Sequence, residues 1–419
     1  MSDLNVGASR VCITPDASLF PVEHFNNRMT GKPSVFSGKI REDIFVRALV
    51  VDSGEDRIAI VVVDLPGTPE VPENMKIISE CADVDMDHVI YTCTHNHSGL
   101  YADNPIFEKF YGEVFSRKMI AYRLFLREKI RQAVAKAMKE RKSAKMGISR
   151  GECWLNVNRN ERELGISAGT YGYQVGASAD RDLYVLRFDD NTGKPIALLY
   201  NFAVHACMMI HNNPEGIGTE ISGDFVGGAC RILEKQWDDE AVVMFTSGAA
   251  GDMNPIQMAR VNIVHSDGSI ITKDLGAAGP VILEFMSNAL ARDVRKTNAE
   301  VRCTQNDIRI WAKKKTFSES ADVLFPYDLP ERRPKGMLTF NIGLMMLGDI
   351  AIISTNGEVF HRIGQRIKSA TPWKNTFMIT HCGLHCGYMK DDSGNGAYEL
   401  SAQKVIREMT DEYRGLGGA

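Results

Sequence analysis

The sequence predicts a layered α/β fold in which mixed β-sheets are covered by helices, built from three units that each read hairpin, helix, strand. The first observation is the density of apolar runs such as 58–64, 195–204 and 349–355, which is typical of strands buried on both faces. The second is their order, because each pair of runs precedes a helical pattern and one further run. No low-complexity linker divides the chain, so we expect residues 1–419 to form a single domain.

The elements follow in chain order. In the first unit, the hydrophobic pattern predicts strands at 44–52 and 57–64, a helix at 71–82 and a strand at 89–93. The second predicts strands at 183–188 and 195–204, a helix at 224–237 and a strand at 241–246. The third predicts strands at 337–346 and 349–355, a helix at 358–369 and a strand at 376–380. A further amphipathic helix with a basic face is predicted at 116–145, and long loops at 151–180 and 317–336.

Composition excludes several classes of protein. Hydrophobic residues make up 44% and charged residues 24%, as in globular proteins, and the net charge of −4 argues against nucleic-acid binding. No apolar run is long enough for a membrane span, and the N-terminus lacks the pattern of a signal peptide. Nine scattered cysteines suit a reducing compartment. We therefore expect a cytoplasmic protein with a small-molecule substrate, no nucleic-acid partner and no stable membrane insertion; the sequence does not indicate its oligomeric state.

Polar residues follow the predicted strands at the ends where α/β sheets build their sites. If the three units pack around a common centre, these residues converge. They are Asp64, His205 and Glu358 after the second strands, and His95, His97, Asp252, Asn254 and the segment 381–388 after the last strands.

Each motif allows more than one interpretation. His95 and His97, at i and i+2 in an extended segment, point to the same side and suit either a metal site or a polar loop. His205 suits a ligand or a buried core histidine. The cluster 381–388 contains Cys and His but lacks the second ligand pair of a structural zinc site. The Gly-rich segment 248–255 suits close approach to a ligand or a tight turn.

Two motifs have simple helical interpretations beside a functional one. Ser222-Gly223-Asp224 suits a helix N-cap or a substrate contact. Asn356-Gly357-Glu358 places a carboxylate at a helix start, which the helix dipole favours.

Taken together, the motifs resemble one family. THNHSG, YNFAVHA, SGD, AAGDMNP, NGE and a GY…YE segment occur in the order of the neutral/alkaline (non-lysosomal) ceramidases, over about residues 5–400. The resemblance implies a zinc-dependent hydrolase of the ceramide amide bond. It implies zinc ligands at His95, His205, Glu358 and Tyr388. It also implies catalytic roles for His97, Arg159 and Tyr398.

The sequence departs from the family pattern at one important place. Gly251-Asp252-Met253-Asn254-Pro255 carries Asn254 where the family has a serine. We therefore expect attack by metal-activated water, with Asp64 or Asp252 orienting the ligand imidazoles. We also expect the protein to consist of the catalytic domain without the family's C-terminal immunoglobulin-like domain. We accordingly expect the amide (N-acyl) bond of a soluble small molecule to be the target.

Two alternatives stay open. The loop side chains Trp154, Asn156, Asn158, Tyr171 and Tyr173, with Arg159, suit a sugar-like ligand, so ester or glycosidic cleavage or a lyase step also fits. A non-catalytic metal-binding relative is the second alternative.

Overall fold

A computed structural model describes residues 4–20, 22–23, 35–36, 39–100, 102, 105–159, 177–209, 220–264, 270–322, 335–384, 386–390 and 396–417. The helices are α1 (Val71–Ala82), α2 (Pro105–Lys139), α3 (Asp224–Lys235), α4 (Gly279–Asn298), α5 (His361–Lys368) and α6 (Gly396–Gly415). The strands of the first half are β1 (Asn5–Cys12), β2 (Val22–Glu23), β3 (Val35–Phe36), β4 (Phe45–Asp52), β5 (Arg57–Val63), β6 (Val89–Cys93), β7 (Lys142–Glu152), β8 (Asn156–Asn158), β9 (Asp182–Asp190) and β10 (Pro195–Phe202). Those of the second half are β11 (Val242–Ser247), β12 (Met253–Pro255), β13 (Arg260–Val264), β14 (Ile270–Asp274), β15 (Ile310–Asp322), β16 (Lys335–Leu347), β17 (Ile350–Thr355), β18 (Glu358–Val359), β19 (Asn375–Ile379) and β20 (Tyr388–Met389).

Two large mixed sheets organise the chain, which confirms the predicted α/β class. The eight-stranded sheet has the order β11-β10-β9-β7-β1-β4-β5-β6, and the four-stranded sheet the order β15-β16-β17-β19. In both, an antiparallel hairpin is followed by a helix and a parallel strand. This holds for β4, β5 and β6, for β9, β10 and β11, and for β16, β17 and β19.

The sheets pack face to face between two helical layers. Along β5, Ile58, Ile60 and Val62 enter the core between the sheets, while the alternating residues face α1 and α2. Helices α3 and α4 cover the β9–β11 half of the large sheet, and α5 and α6 cover the small sheet. Successive side chains of these strands point to opposite faces, and both faces are buried, so the strands are nearly continuous hydrophobic runs. Among the described residues, no helix is long and apolar enough to cross a membrane.

Four predicted elements have wrong bounds. The helix expected at 116–145 ends at Lys139, and β7 begins at Lys142, because residues 144–152 pair in continuous antiparallel register with β9. The loop expected at 151–180 begins with the end of β7 and contains β8, and the loop expected at 317–336 is shortened by β15 and β16. The helix expected at 358–369 begins only at His361, because Glu358 and Val359 pair with β20.

Candidate metal centre

The carboxyl ends of the parallel strands from both sheets meet at one place. Thr92 at the end of β6 donates to the carbonyl of Thr380 (2.8 Å), and Thr380 donates to the carbonyl of Gly248 after β11 (2.7 Å). Asn201 at the end of β10 donates to the carbonyl of Met378 in β19 (2.8 Å). These bonds hold the segments that follow β6, β10, β11 and β19 together, so the polar residues on them are brought together.

His95 and His205 are the two buried imidazoles at the middle of this place. His95 has a left-handed backbone (φ 53°), and its Nδ1 lies 2.7 Å from the carbonyl oxygen of Pro66. His205 Nδ1 lies 2.7 Å from the carbonyl oxygen of Ala250. Because a carbonyl only accepts, both rings donate from Nδ1, and each Nε2 presents a lone pair. This tautomer is the one that a metal ligand needs.

Glu358 and Tyr388 are placed side by side by strand pairing. They are register partners in the short parallel pair of β18 and β20. Gly357 makes the preceding turn with φ 80°, and a Cβ there would lie 2.7 Å from Cys386 Sγ. Glu358 Oε2 lies 3.0 Å from His205 Nε2 and 3.6 Å from His95 Nε2. The carboxylate therefore faces both imidazole lone pairs.

Arg159 connects this group to the Gly-rich segment after β11. Its side chain is buried and donates to the carbonyl of Gly251 from Nη2 (2.8 Å) and to Asn254 Oδ1 from Nη1 (3.0 Å). Nη2 also lies 3.0 Å from His205 Nε2 and 3.2 Å from the Tyr388 hydroxyl. Pairing of β8 with β12 places the residue, since Asn158 is the partner of Met253. A cation bound by His205 would displace the guanidinium from that nitrogen.

His97 lies beside the two oriented imidazoles. Its ring centroid is 4.8 Å from that of His95 and 5.7 Å from that of His205. Burial, followed by the neighbouring His95 and His205, lowers the pKa of His97 well below its ordinary value. Burial and then the Arg159 guanidinium lower the pKa of His205 to about 3. Both rings are therefore neutral at physiological pH.

These residues fit a divalent metal such as zinc. The buried Nε2 of His95 has no hydrogen-bond partner among the described residues, which is costly unless a ligand satisfies it. His205 Nε2 and Glu358 Oε2 lie 3.0 Å apart with the Arg159 guanidinium beside both, so the two atoms already face a positive charge. Ligand nitrogens of His95, His97 and His205 all lie within 4.8 Å of one another. Imidazole and carboxylate donors are those that zinc takes in proteins.

No activated protein nucleophile faces the Arg159 side of the centre among the described residues. Asn254, at the position of the family's serine, accepts from Arg159 and from Cys207 Sγ (3.7 Å). Burial raises the pKa of the Cys207 thiol to about 12, so it stays protonated at neutral pH.

The expected orienting roles of Asp64 and Asp252 are wrong. Asp64 binds the buried Arg47 (2.7 Å) and the amide of Phe45, and Asp252 binds His361. The segments after β5 and β11 run beside the rings of His95 and His205, so the carbonyls of Pro66 and Ala250 bind the Nδ1 atoms instead.

Of the other predicted residues, Tyr398 lies apart from this group. Its hydroxyl bonds Thr355 Oγ1 (3.1 Å) and its ring packs on Phe340, with centroids 4.7 Å apart, in the core beneath α6. Its described contacts thus give it no place at the centre, and its catalytic role stays a prediction. Asn156 donates to the carbonyls of Asp180 and Ala203, which is a structural role. Trp154 is 63% exposed, and Tyr171 and Tyr173 lie outside the described residues.

The Ser222-Gly223-Asp224 motif caps α3. Asp224 has φ 52° and accepts from the amides of Met209 (3.0 Å) and Phe225 (2.8 Å), and burial raises its pKa to about 6. Asn96, between the two motif histidines, donates to the carbonyl of Ser222 (2.5 Å). The motif thus fastens the histidine segment to the start of α3.

His381, the first residue of the predicted cluster 381–388, is a neighbour of the centre to which the sequence assigned no individual role. Its ring stacks on that of His95, with centroids 4.0 Å apart and planes 11° apart, and its backbone is left-handed (φ 58°). Its position after the last strand of the third unit was the available signal.

Comparison with known proteins identifies the family of the chain. A family model described as neutral/alkaline non-lysosomal ceramidase, N-terminal, matches residues 31–264, more than half of the chain. Neutral ceramidase A of Dictyostelium discoideum is 28% identical over 186 residues, covering 40% of this chain and 24% of the relative. Neutral ceramidase B of the same organism is 32% identical over 132 residues, covering 30% of this chain and 18% of the relative. The matches thus span about a quarter or less of these relatives.

The fold is also that of solved ceramidases. The crystal structure of the neutral ceramidase from Pseudomonas aeruginosa superposes with a TM-score of 0.71 at 14% identity, covering 98% of this chain and 74% of that one. A ceramidase complexed with C2 gives a TM-score of 0.74 at 14% identity, with 99% and 76% covered. The predicted resemblance is confirmed: this chain belongs to the neutral/alkaline non-lysosomal ceramidase family.

Proposed function

We propose that the protein is a zinc-dependent hydrolase that cleaves the amide (N-acyl) bond of a soluble small molecule. The observation that carries the proposal is the pair of buried imidazoles, His95 and His205, with each Nδ1 held by a backbone carbonyl and each Nε2 turned toward Glu358. We propose His95, His205, Glu358 and Tyr388 as the ligands. Amide cleavage is supported by family membership and by the names of the ceramidase relatives.

The chain's own residues supply the remaining parts of such a reaction. A zinc ion held there would polarise the scissile carbonyl and lower the pKa of water from 15.7 to about 7. His97 is neutral and lies beside His95, so its imidazole can pass a proton to the leaving nitrogen. Arg159, once displaced from His205 Nε2, is placed to orient the substrate carbonyl while Gly251 keeps its guanidinium in position.

Water is the nucleophile that the surroundings favour. Asn254 has no nucleophilic chemistry, and the buried Cys207 keeps its proton. Hydrolysis by water therefore needs no covalent intermediate at this centre. The same argument applies to esters, so bond type is decided by experiment.

A panel of substrates tests the proposal. The zinc-loaded protein is given soluble N-acyl amides, a short-chain and a long-chain ceramide in mixed micelles, p-nitrophenyl esters and p-nitrophenyl glycosides. We expect release of free amine from soluble amides, at a rate that falls at least about 100-fold in His97→Ala. Preference for long-chain ceramide would overturn the soluble-substrate part. A preference for esters or glycosides that His97→Ala abolishes would overturn the amide part, and no product from any class would overturn the hydrolase.

We also propose that the protein acts in the cytoplasm as a single catalytic domain. Its nine cysteines are all free thiols, which suits a reducing compartment. Fractionation of cells that express the full-length protein, followed by immunoblotting, tests this, and recovery in the secreted or membrane fraction would contradict it.

A further inference from the structure

A second group of chemically complementary side chains lies behind the metal centre. Ser178 Oγ is 3.0 Å from His361 Nε2, and His361 Nδ1 is 2.6 Å from Asp252 Oδ2. The three residues are far apart in the sequence, separated by up to 183 positions. A hydroxyl, an imidazole and a carboxylate in this order form the arrangement that activates a serine nucleophile.

The imidazole of His361 is held in one orientation. Asp252 accepts twice from this residue, from the backbone amide at Oδ1 (2.8 Å) and from Nδ1 at Oδ2. Both residues are buried, with 2% and 3% of their surface exposed. Because the Nδ1–H group donates to the carboxylate, Nε2 is the acceptor, and it points at the serine hydroxyl. A carboxylate in this role fixes the tautomer of the base and stabilises the imidazolium that forms.

Ser178 is exposed to solvent while its backbone is fixed. Asn158 donates to its carbonyl (2.9 Å), and the side chain of Ala179 packs against the small apolar cluster around Met253. Asp180 forms an ion pair with the half-buried Lys368 of α5 (2.9 Å). The hydroxyl is therefore accessible to solvent on a segment that these contacts hold in place, as a nucleophile requires.

A cationic group lies at the same oxygen. Arg362 Nε donates to Ser178 Oγ (3.1 Å), and the Arg362 side chain is exposed. The Arg362 guanidinium places a positive charge beside the oxygen that would attack, where negative charge develops during acyl transfer. The group thus offers a nucleophile, a base, a carboxylate that orients the base, and a neighbouring cation.

We propose that Ser178, His361 and Asp252 form a second, metal-independent acyl-transfer site that hydrolyses small esters. Ser178 Oγ bonds to the acyl carbon and its proton passes to His361 Nε2. The carbon–oxygen bond to the alcohol breaks, and the alcohol leaves with that proton. Water then attacks the acyl-serine, gives a proton to Nε2, and releases the carboxylic acid as Ser178 recovers its hydrogen.

This site uses different groups from the metal centre. The backbone carbonyl of Asp252 accepts from the amide of Arg159 (2.8 Å), whereas its carboxylate turns toward α5. A single residue thus contributes its backbone to one site and its side chain to the other. The esterase activity consequently does not rest on the zinc-dependent function, and either can fail alone.

Covalent labelling of the full-length, zinc-loaded protein tests the proposal. The protein is treated with a fluorophosphonate probe and digested, and the modified residue is located by mass spectrometry. We expect phosphonylation at Ser178, with none there in Ser178→Ala and labelling at least about 100-fold slower in His361→Ala. Because His361 lies at the start of α5, circular dichroism accompanies that variant, and Ser178→Ala provides the result if His361→Ala misfolds.

Ester turnover provides the second arm. With p-nitrophenyl acetate and excess zinc, we expect a burst of p-nitrophenol that Ser178→Ala abolishes while its zinc content stays that of the unmodified protein. Ser369→Ala, at an exposed serine just after the last turn of α5, is the matched control and should keep the burst. Absence of label from Ser178, or an unchanged burst in Ser178→Ala, would show that His361 and Asp252 only fasten the start of α5.

Discussion

Replacing Asp64 by Asn tests the correction that this carboxylate is structural. Asp64 and Arg47 are both buried, with Arg47 Nη1 2.7 Å from Asp64 Oδ2. Asp64 also accepts from the amide of Phe45 (3.0 Å). Although burial opposes the charge, Asp64 and Glu234 raise the pKa of Arg47, so the guanidinium stays charged. The substitution leaves that charge with Glu234 Oε1 at 3.7 Å as its remaining carboxylate partner among the described residues.

The expected cost follows from the burial of the pair. Removing one partner of a buried ion pair costs about 3–5 kcal/mol. For 419 residues, the entropy of unfolding is about 0.9 kcal/mol/K, so the midpoint of thermal unfolding should fall by about 3–6 °C. The double variant Arg47→Met, Asp64→Leu should recover more than half of that loss, because no unpaired charge remains.

Differential scanning calorimetry measures the midpoints, and elemental analysis measures zinc in the same samples. We expect zinc content in Asp64→Asn to match the unmodified protein, since Pro66 and Ala250 hold the ligand imidazoles. A midpoint within 1 °C of the unmodified protein would refute the ion-pair reasoning. Loss of zinc from folded Asp64→Asn would restore the orienting role.

Three further substitutions separate catalysis, metal binding and stability. His97→Ala should abolish amide hydrolysis and keep zinc, because the ring lies beside the ligands; loss of zinc, measured by elemental analysis, would make His97 a ligand instead. Gly251→Ala should weaken zinc binding about 10–100-fold in chelator competition, because the new Cβ would lie 2.7 Å from the carbonyl oxygen of Glu358. Gly415→Ala is the control, since a Cβ there meets nothing within 4 Å. Equal zinc affinities of the two variants would contradict the argument. Asp224→Ala should lower the free energy of unfolding by about 2–4 kcal/mol in urea titration, because the buried amides of Met209 and Phe225 lose their acceptor; a change below about 0.5 kcal/mol would show that water replaces it.

Apolar strands were the part of the fold that the sequence predicts well. The runs at 57–64, 89–93 and 241–246 differ by one residue or less at each boundary from β5, β6 and β11, since both faces of these strands are buried. Strand β7 was missed because polar and small residues interrupt its apolar pattern, and its first residues, 142–145, were assigned to the end of the predicted helix. Helices α4 and α6 were also missed, although their buried residues recur at helical spacing.

At the site, the order of residues and strands along the chain predicts which residues converge, whereas contacts between residues far apart in the sequence could not be predicted. His95, His205 and Glu358 each follow a strand of a repeated unit, so their convergence can be anticipated from topology. The roles of Pro66 and Ala250 could not be anticipated, because every residue has a backbone carbonyl and the residue type does not reveal which carbonyl accepts a hydrogen bond. The contact of His361 with Asp252 spans 109 residues and depends on where α5 begins, which the sequence placed three residues too early.

The central claim is that His95, His205, Glu358 and Tyr388 hold one metal ion, and metal content tests it most directly. Zinc per chain is measured by elemental analysis on the unmodified protein, on His205→Ala and on the control His88→Ala, whose partly buried histidine lies 3.6 Å from Asp56. We predict about one zinc in the unmodified protein and the control, and little in His205→Ala. No zinc in any of the three after zinc is supplied, or equal zinc in all three, would contradict the metal centre.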